Sequence, residues 1–446
     1  MSSFAHRRQQ LLRQMHEKGG GVAVLTTARE VMRNADADYP YRHDSSFYYL
    51  TGFTEPEAAL VLVAGSTDRA ILFCREKNEE REIWDGYRYG PEAARAAFGF
   101  DEAHPIGELD AAMARLLANA PALFYALGAD VQLDQQVRGW LDSVRAQTRS
   151  GVTAPAAAHD LRGMLNEMRL VKDAGEIAIM QRAADISAAA HARAMRMAKP
   201  GKREYELEAE LLHEFRRNGS QFPAYGSIVA TGANSCVLHY RASDAVLKDG
   251  DLVLIDAGCE LDGYASDITR TFPANGRFSG PQRELYEVVL AAQQAAIEAT
   301  APGRSFMEGH DAAVRVLAQG MLDAGLLDAG KVGSVDDVIA KGDYRQFYMH
   351  RTGHWLGMDV HDVGDYRERQ ALGAAGEERP WRKLQPGMVL TIEPGIYVRP
   401  APGVPEAYWN IGIRIEDDAV VTATGCDIIT RDAPKTVADV EAVMRQ

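Results

Sequence analysis

Short apolar runs alternate with amphipathic stretches along the first 160 residues of the chain. Runs at residues 21–26, 58–64 and 70–73 predict strands, and the spacing of apolar residues over 108–118 predicts a helix. Strands that alternate with helices are typical of an α/β domain. The segment 153–158 is rich in small residues and has no period, which predicts the end of this domain. We therefore expect a first domain over residues 1–160.

Residues 161–446 combine long amphipathic stretches with separate apolar runs. Asp173 and Glu176 have the spacing of a capping box, which predicts the start of a long helix that ends before Pro200. Three more helices are predicted over residues 203–218, 280–299 and 305–324, and strands over residues 226–231, 251–258, 264–272, 388–398 and 411–422. Helices segregated from mostly antiparallel strands predict an α+β fold, with a surface loop over the polar residues 364–385.

Carboxylates interrupt strands that are otherwise apolar. Asp256 follows the apolar residues 252–255, and an unpaired buried carboxylate is costly unless a cation or several hydrogen bonds offset it. A hairpin symmetric about Leu261 and Asp262 would place Asp256 directly opposite Asp267. Two carboxylates so close do not both ionise without positive charge between them. The pattern predicts a divalent metal, and a chance pair of surface acids is the alternative.

The same interruption occurs in two later strands. Glu393 ends an apolar run, and a turn follows it. In residues 411–416, alternation places three isoleucines on one face and Gly412, Arg414 and Glu416 on the other. We expect the isoleucine face to pack in the core and Gly412 to leave space beside the two charged residues. An exposed strand face is the alternative for Arg414 and Glu416.

Histidines cluster beside these strands. Three of the twelve lie in residues 350–361, namely His350, His354 and His361, and His239 is a fourth candidate. Imidazoles bind metals and carry protons near neutral pH. Four carboxylates and at least one imidazole suffice for two divalent ions that share a water. Oxygen-rich ligand sets favour hard cations, which places Mn²⁺ before Zn²⁺.

Composition and charge exclude several classes of protein. The chain has 446 residues, of which 49 are basic and 63 acidic, and its formal net charge is −14. This surplus repels polyphosphate, so we expect no nucleic-acid partner. No run of about 18 apolar residues predicts a membrane span, and the start of the chain lacks the apolar run of a secretory signal. Four scattered cysteines predict reduced thiols, and we expect a cytoplasmic protein.

Taken in chain order, these motifs resemble the pita-bread metallopeptidases and, within them, the aminopeptidase P family. The resemblance is carried by residues 254–258, 266–271, 354, 361, 393–395 and 414–416. Residues 42–53 resemble the N-terminal domain of the same family, so the resemblance covers nearly the whole chain. It implies a pita-bread catalytic domain over 161–446 after a smaller α/β domain over 1–160.

Matched position by position, the resemblance implies roles for individual residues. The implied metal ligands are Asp256, Asp267, His354, Glu393 and Glu416, with Asp267 and Glu416 shared by two divalent ions, Mn²⁺ first and Zn²⁺ or Co²⁺ as alternatives. The implied substrate-handling groups are His239, His350, His361 and Arg414, and Glu393 would also transfer a proton. Arg351 is a departure, because many relatives carry glycine there. Residues 84–90 resemble a segment that reaches a neighbouring subunit, which implies a homodimer or homotetramer; packing of Trp84 within its own domain is the alternative.

The implied activity is release of the first residue from peptides with proline in second position. An activated water would attack the carbonyl carbon that precedes proline, and a protonated His239 or His361 would stabilise the oxyanion. The closest alternative is prolidase, which cleaves only Xaa-Pro dipeptides. A non-catalytic binding module on the same fold is an alternative from another class, and it predicts broken ligand positions, whereas all five are present.

Overall fold

The structure is a computed structural model that describes residues 3–369 and 378–446. It divides into two compact units, Met1–Met168 and Arg169–Gln446. The predicted loop over 364–385 lies partly outside the described residues. Among the helices of the described part, none is both long enough and apolar enough to cross a membrane.

A mixed sheet forms the centre of the first unit. The strands of this unit are β1 (Gly21–Thr26), β2 (Met32–Asn34), β3 (Ala37–Asp38), β4 (Ala59–Ala64), β5 (Arg69–Cys74), β6 (Glu102–Pro105), β7 (Ala122–Tyr125) and β8 (Ala157–Asp160). Six of them pair in the order β6-β5-β4-β1-β7-β8, in which β1 is antiparallel to β4 and parallel to β7. β2 and β3 form a separate hairpin.

Among the described residues, seven helices accompany these apolar strands. They are α1 (Ser3–Glu17), α2 (Ser45–Thr51), α3 (Glu79–Asp85), α4 (Gly90–Phe98), α5 (Leu109–Leu116), α6 (Val131–Arg145) and α7 (Leu161–Leu170). Val24 of β1 pairs with Val61 of β4, and both pack in one core with Met113 of α5 and Trp140 of α6. The predicted alternation of strands and helices in this part of the chain is confirmed.

Long helices surround small antiparallel sheets in the second unit. The helices are α8 (Ala174–Met197), α9 (Glu204–Arg217), α10 (Gly280–Ala299), α11 (Phe306–Asp323), α12 (Ala329–Val332), α13 (Val335–Lys341) and α14 (Val437–Met444). The predicted capping box is present at the start of α8, where the Asp173 side chain accepts the N–H of Glu176 and the Glu176 side chain accepts that of Asp173. The four predicted helices of this half are confirmed, and the four cysteines of the chain are free.

The strands of the second unit are short. They are β9 (Phe222–Pro223), β10 (Ile228–Thr231), β11 (Leu252–Asp256), β12 (Cys259–Leu261), β13 (Tyr264–Ala265), β14 (Thr269–Pro273), β15 (Val389–Ile392), β16 (Gly395–Val398), β17 (Ile411–Arg414), β18 (Asp417–Val421) and β19 (Cys426–Ile428). They pair antiparallel in the orders β10-β11-β14, β13-β12-β9, β15-β18-β19 and β16-β17. Helices and antiparallel strands are segregated here as predicted.

Three predicted strands are broken, and each break contains a carboxylate. Asp267 lies between β13 and β14, Glu393 between β15 and β16, and Glu416 between β17 and β18. The prediction of continuous strands over 264–272, 388–398 and 411–422 is therefore wrong. At two of the breaks the backbone N–H bonds across to another segment: Glu393 N donates to Thr352 O at 2.8 Å, and Glu416 N to Thr269 O at 3.0 Å. The backbone N–H groups that lose a strand partner at these breaks are thus hydrogen-bonded to other segments.

The predicted register of the hairpin after β11 is also wrong. Leu261 pairs with Tyr264, so the turn is Asp262-Gly263, with φ of +49° and +80°. Positive φ at both central residues is the geometry of a two-residue hairpin turn. The turn therefore lies one residue further along the chain than predicted, and Asp256 pairs with Thr269 instead of Asp267.

Candidate metal centre

A cavity of about 550 Å³ in the second unit collects the charged residues that interrupt the strands. Its wall contains all of the predicted site residues: Asp256, Asp267, His354, Glu393 and Glu416 as predicted ligands, and His239, His350, His361 and Arg414 as predicted substrate-handling groups. The alternatives of surface acids and of an exposed strand face are excluded, because Asp267, Arg414 and Glu416 are at most 4% exposed. Tertiary structure thus brings the separate motifs into one site.

Asp267, His354 and Glu416 form a tight group of possible ligands. One oxygen or nitrogen from each lies within 4.8 Å of the other two. His354 Nε2 is 3.5 Å from Asp267 Oδ2 and 3.7 Å from Glu393 Oε1, while Nδ1 of the same ring donates to the Trp355 carbonyl at 2.9 Å. Burial lowers the pKa of His354, but the hydrogen bond to Asp267 and the charge of Glu393 outweigh it and raise the pKa to about 9. Because Nδ1 already donates to the Trp355 carbonyl, Nε2 is the ring atom that faces the carboxylates, and it must lose its proton to bind a cation.

Asp256 joins this group through Tyr225. The Tyr225 hydroxyl lies 2.6 Å from Asp256 Oδ1 and 2.5 Å from Asp267 Oδ1. The two carboxylates therefore converge although they are not paired across the hairpin. Burial and both carboxylates raise the pKa of Tyr225 far above its usual value, so the hydroxyl keeps its proton and acts as a donor. Sequence reasoning missed Tyr225, because nothing in the residues around it marks a functional group.

The four carboxylates face too little positive charge. Burial, followed by the charges of Asp267 and Glu393, raises the pKa of Glu416 far above its usual value. Burial also raises the pKa of Glu393 to about 7. Arg414 supplies one cation, and its Nη2 lies 2.6 Å from Asp256 Oδ2. Because each carboxylate disfavours ionisation of the others, the group favours an added cation.

The adjacent residue on the same chain segment has balanced surroundings. Asp417 is completely buried and lies 2.6 Å from Arg270 Nη2 and 2.7 Å from Lys435 Nζ. Burial raises the pKa of Asp417, but the two cations lower it further, and the net pKa is below the usual value. Arg270 also donates to the Glu416 carbonyl at 2.6 Å. This ion pair therefore holds the backbone from which Glu416 projects.

The predicted histidines His239, His350 and His361 also line the cavity. The His361 ring stacks on His354 with a centroid distance of 3.9 Å, and His350 Nε2 lies 2.9 Å from the Tyr397 hydroxyl. Burial lowers the pKa of His361 to about 4 and that of His350 to about 3. The lowered pKa disfavours the protonated form that was predicted for His361. A neutral ring still keeps one N–H that can donate to an oxyanion.

Gly412 has a different role from the predicted one. A Cβ at this position would lie 2.2 Å from the Ser235 carbonyl oxygen, and the Gly412 N–H donates to Ser235 Oγ at 3.0 Å. The predicted space beside Arg414 and Glu416 is therefore filled by the backbone of Ser235. Glycine is required here because two backbone segments meet.

A second group that sequence reasoning missed holds the loop between His354 and His361. The Asp362 side chain is 1% exposed and lies 2.7 Å from Arg169 Nη2 and 2.9 Å from Lys172 Nζ. Its backbone N–H donates at 2.9 Å to the Trp355 carbonyl, which also accepts from His354 Nδ1. The lysine and the aspartate are 190 residues apart, so no local pattern indicates the pair.

Comparison with known proteins gives the family of this chain. The family model of metallopeptidase family M24 matches residues 178–423, and that of the aminopeptidase P N-terminal domain matches residues 4–125. The chain belongs to metallopeptidase family M24. It is 44% identical to the Xaa-Pro aminopeptidase of Escherichia coli K12 over 443 residues, 99% of this chain and 97% of that protein. The Haemophilus influenzae Xaa-Pro aminopeptidase is 44% identical over 442 residues, 99% of this chain and 96% of that protein.

Solved structures of the same family share the whole fold. The structure of Pseudomonas aeruginosa aminopeptidase PepP is 50% identical, with a TM-score of 0.94, and the match covers 99% of this chain and 97% of that one. Zn-substituted E. coli aminopeptidase P in complex with product has a TM-score of 0.93 at 44% identity, over 100% and 98% of the two chains. The predicted family and fold class, an M24 catalytic domain after an aminopeptidase P N-terminal domain, are confirmed.

The residues of this M24 metallopeptidase fit divalent metal. The cavity offers four carboxylates and the His354 Nε2 atom, and burial together with the neighbouring carboxylates raises the pKa values of Glu393 and Glu416. Carboxylate and imidazole groups are ligands of divalent cations such as Zn²⁺ and Mn²⁺. Divalent metal is therefore the complement that this donor set requires.

Proposed function

We propose that this chain is an Xaa-Pro aminopeptidase, which releases the first residue from peptides with proline in second position. The observation that carries the proposal is the buried group of Asp267, His354 and Glu416, with Asp256 and Glu393 in the same cavity. Relatives that are named Xaa-Pro aminopeptidases match 99% of the chain, which supports the proposal.

The ligand set is the second part of the proposal. Asp256, Asp267, His354, Glu393 and Glu416 would hold two divalent ions, with Asp267 and Glu416 shared between them. Mn²⁺ is the proposed metal because four of the five ligands are carboxylates, and Zn²⁺ and Co²⁺ are the alternatives. Bound divalent metal would supply Lewis-acid activation of the scissile carbonyl and of the attacking water.

The protein groups around the ligands orient, donate and transfer protons. The Tyr225 hydroxyl sets the positions of the Asp256 and Asp267 oxygens. Glu393 would accept a proton from the attacking water at a carboxylate oxygen and pass it to the departing proline nitrogen, which has no proton of its own in the peptide. The N–H groups of His361 and His239 would donate to the developing oxyanion.

Other groups would position the substrate. Arg414 holds Asp256 and also donates to the Tyr397 hydroxyl at 3.0 Å, and that hydroxyl lies against His350. Ile228, Leu238 and Val360 give the same cavity an apolar wall that suits a pyrrolidine ring. This combination supports selection for proline beside the metal ligands.

We further propose an N-terminal domain over residues 1–160 and a catalytic domain over 161–446, a boundary eight residues before the one between the two compact units. We also propose that the protein is a homodimer or homotetramer. Ile83 and Trp84 of α3 are 82% and 80% exposed, which is unusual for large apolar side chains and supports contact with another subunit. Light scattering of the purified protein tests this directly, and a monomer at all concentrations would contradict it. A cytoplasmic location stays a prediction.

The activity is tested with a panel of peptides and metals. Protein treated with a chelator is supplied with Mn²⁺, Zn²⁺ or Co²⁺ and offered Ala-Pro-Gly-amide, the dipeptide Ala-Pro and the control Ala-Ala-Gly-amide. We expect metal-dependent release of alanine from the first peptide, fastest with Mn²⁺, and no release from the control. Turnover of the dipeptide alone would indicate a prolidase. Failure to bind any of the metals would indicate a non-catalytic binding module.

A further inference from the structure

The cavity has opposite charge at its floor and at its rim. The carboxylates at the floor are buried, with Glu416 2% and Asp267 4% exposed. Two arginines that line the same cavity, Arg241 and Arg351, are exposed. A short peptide has the matching polarity, because its first residue carries an ammonium group and its last residue a carboxylate.

Arg351 is held at the rim by an aromatic platform. Its guanidinium carbon lies 5.1 Å from the centroid of the Trp381 ring, and that of Arg367 lies 3.5 Å from the same ring. Arg367 in turn forms an ion pair with Glu378, and its backbone forms an antiparallel β-bridge with that of Trp381. Cation–π contacts of this kind stabilise a guanidinium without neutralising it. The platform therefore positions the Arg351 charge and leaves its hydrogen-bond donors for another group.

Arg241 lies at the rim next to the ligand cluster. Its Nη1 is 3.5 Å from the carbonyl oxygen of Gly226, where a Cβ would come within 2.8 Å of the same nitrogen. Gly226 directly follows Tyr225, whose hydroxyl contacts the floor carboxylates. Within residues 3–369 and 378–446, neither Arg241 nor Arg351 has a carboxylate partner. Binding of an anion at the rim would therefore break no ion pair among these residues.

We infer that Arg241 and Arg351 bind a carboxylate on the third residue of the substrate, and that the enzyme thereby prefers peptides whose third residue is C-terminal or acidic. The inference rests on the proposed function. Successive residues of an extended peptide are roughly 3.5 Å apart, so a carboxylate on the third residue lies on the order of 7–10 Å beyond the scissile carbonyl, towards the rim. Guanidinium groups bind carboxylates through charge-assisted, often paired hydrogen bonds. Glycine in place of Arg351 would remove one of the two guanidinium groups of this site.

The test compares matched substrates that differ only in the carboxylate. Ala-Pro-Gly is measured against Ala-Pro-Gly-amide for the terminal carboxylate, and Ala-Pro-Glu-amide against Ala-Pro-Gln-amide for a side-chain carboxylate. In the wild type we expect kcat/KM to be about tenfold higher for the acid member of at least one pair, mainly through KM, because the contact is remote from the reacting atoms. The preference should weaken as salt rises.

The variants are Arg351→Gln, Arg241→Gln and the double variant. Each single change should lower the ratio of acid to amide turnover about threefold, and the double variant should bring it to about one. Arg283→Gln, on the exposed surface of α10, is the matched control and should keep the wild-type ratio. Circular dichroism and the melting temperature confirm that each variant is folded.

The outcomes separate the inference from the proposed function. A preference in the first pair only identifies the terminal carboxylate as the ligand, and a preference in both pairs identifies any third-residue carboxylate; both support the inference. Equal turnover of acid and amide by the wild type, or an unchanged ratio in the double variant, overturns the inference while the aminopeptidase activity stands. Failure of the wild type to cleave any of these peptides overturns the proposed function itself.

Discussion

Glu416 and Asp417 are adjacent in the chain and both are buried, yet their side chains lie in surroundings of opposite charge. Asp417 lies among cations, 2.6 Å from Arg270 and 2.7 Å from Lys435, and its pKa is lowered. Glu416 lies among carboxylates, and its pKa is raised far above the usual value by burial and by Asp267. The negative charge of Asp417 is balanced by cations of the chain itself, whereas the carboxylates around Glu416 require positive charge from outside the chain.

This difference shows that the charges around a buried carboxylate indicate whether its role is structural or metal binding. Where the chain supplies its own cations, as at Asp417 or at Asp362 with Arg169 and Lys172, the acid holds two segments together. Where several acids share one arginine, the chain has left a charge deficit that a divalent ion fills. Both balanced groups bond to the backbone of the unbalanced one: Arg270 donates to the Glu416 carbonyl, and the Asp362 N–H donates to the Trp355 carbonyl next to His354.

The largest effect is expected from a substitution in the unbalanced group of carboxylates. We predict that Asp267→Asn lowers kcat/KM for Ala-Pro-Gly-amide by roughly 10⁴-fold, because loss of a shared ligand removes both the activated water and the polarised carbonyl. Peptide hydrolysis and metal content by mass spectrometry measure the effect. Asp249→Asn, at an exposed position before β11, is the control and should keep normal activity. Near-normal turnover by the Asp267 variant would contradict its assignment as a shared ligand.

A matched pair of substitutions tests the comparison itself in metal-free protein. We predict that Asp417→Asn lowers the free energy of unfolding by about 3–5 kcal/mol, because it leaves the buried Arg270 without its anion. Glu416→Gln should leave that free energy unchanged or raise it, because it removes repulsion. Urea denaturation in the presence of a chelator measures both. Equal losses of free energy of unfolding in the two variants would show that Glu416 and Asp417 do not differ in charge balance.

Removal of the metal tests the same difference between Glu416 and Asp417. At a free concentration of Mn²⁺ about 100 times its Kd, the wild type should gain about 2.7 kcal/mol in free energy of unfolding over the chelated protein. Asp417→Asn should keep this increment, and Glu416→Gln should lose most of it. Denaturation curves recorded with and without Mn²⁺ provide the measurement. Retention of the full increment by the Glu416 variant would remove this residue from the ligand set.

The smallest expected effect concerns a buried group that is neither paired nor metal-bound but neutral. His191 is fully buried and contacts the Ala257 carbonyl at 2.9 Å. Burial lowers its pKa to about 4; Arg270 lowers it further, whereas the Ala257 carbonyl, Asp256 and Asp417 raise it. Because unfolded histidine titrates near 6.5, the unfolded chain binds the extra proton between about pH 6.5 and 4, so stability falls as the pH is lowered through this window.

The corresponding variant is His191→Gln. On lowering the pH from 7.5 to 5.5, the metal-free wild type should lose about 1.4 kcal/mol more free energy of unfolding than the variant. Urea denaturation at the two pH values gives this difference. Identical losses in both proteins would indicate that His191 is charged in the folded state.

Local pattern was sufficient to single out most of the carboxylates that are proposed as ligands. Asp256, Glu393 and Glu416 each follow apolar strand residues, and burial of a carboxylate is costly enough that such positions stand out in a window of a few residues. Helix starts were predictable for the same reason, since the side chain of Asp173 caps amides only two and three residues away. The helices and the acidic site were therefore accessible without any knowledge of long-range contacts.

Contacts between distant segments were not accessible in this way. Tyr225 bonds to Asp256 and Asp267 from a segment with no functional pattern, and Ser235 fills the space beside Gly412. The hairpin register is an intermediate case, because the dipeptide Asp262-Gly263 is itself a signal for a two-residue turn and would have placed it correctly.

By itself the sequence determined the family, the helices and the identity of the groups offered as ligands, because each depends on residues close together in the chain. Only the tertiary structure decided which carboxylates are balanced and which are not. Alternation along the strand singled out Glu416 on the face of Arg414, but it could not show that Glu416 lies among carboxylates while Asp417, the next residue, has two cations beside it. They differ because folding brings Arg270 and Lys435 to one side and three more carboxylates to the other. Charge balance is a property of neighbours in space, and for these residues the neighbours come from distant parts of the chain.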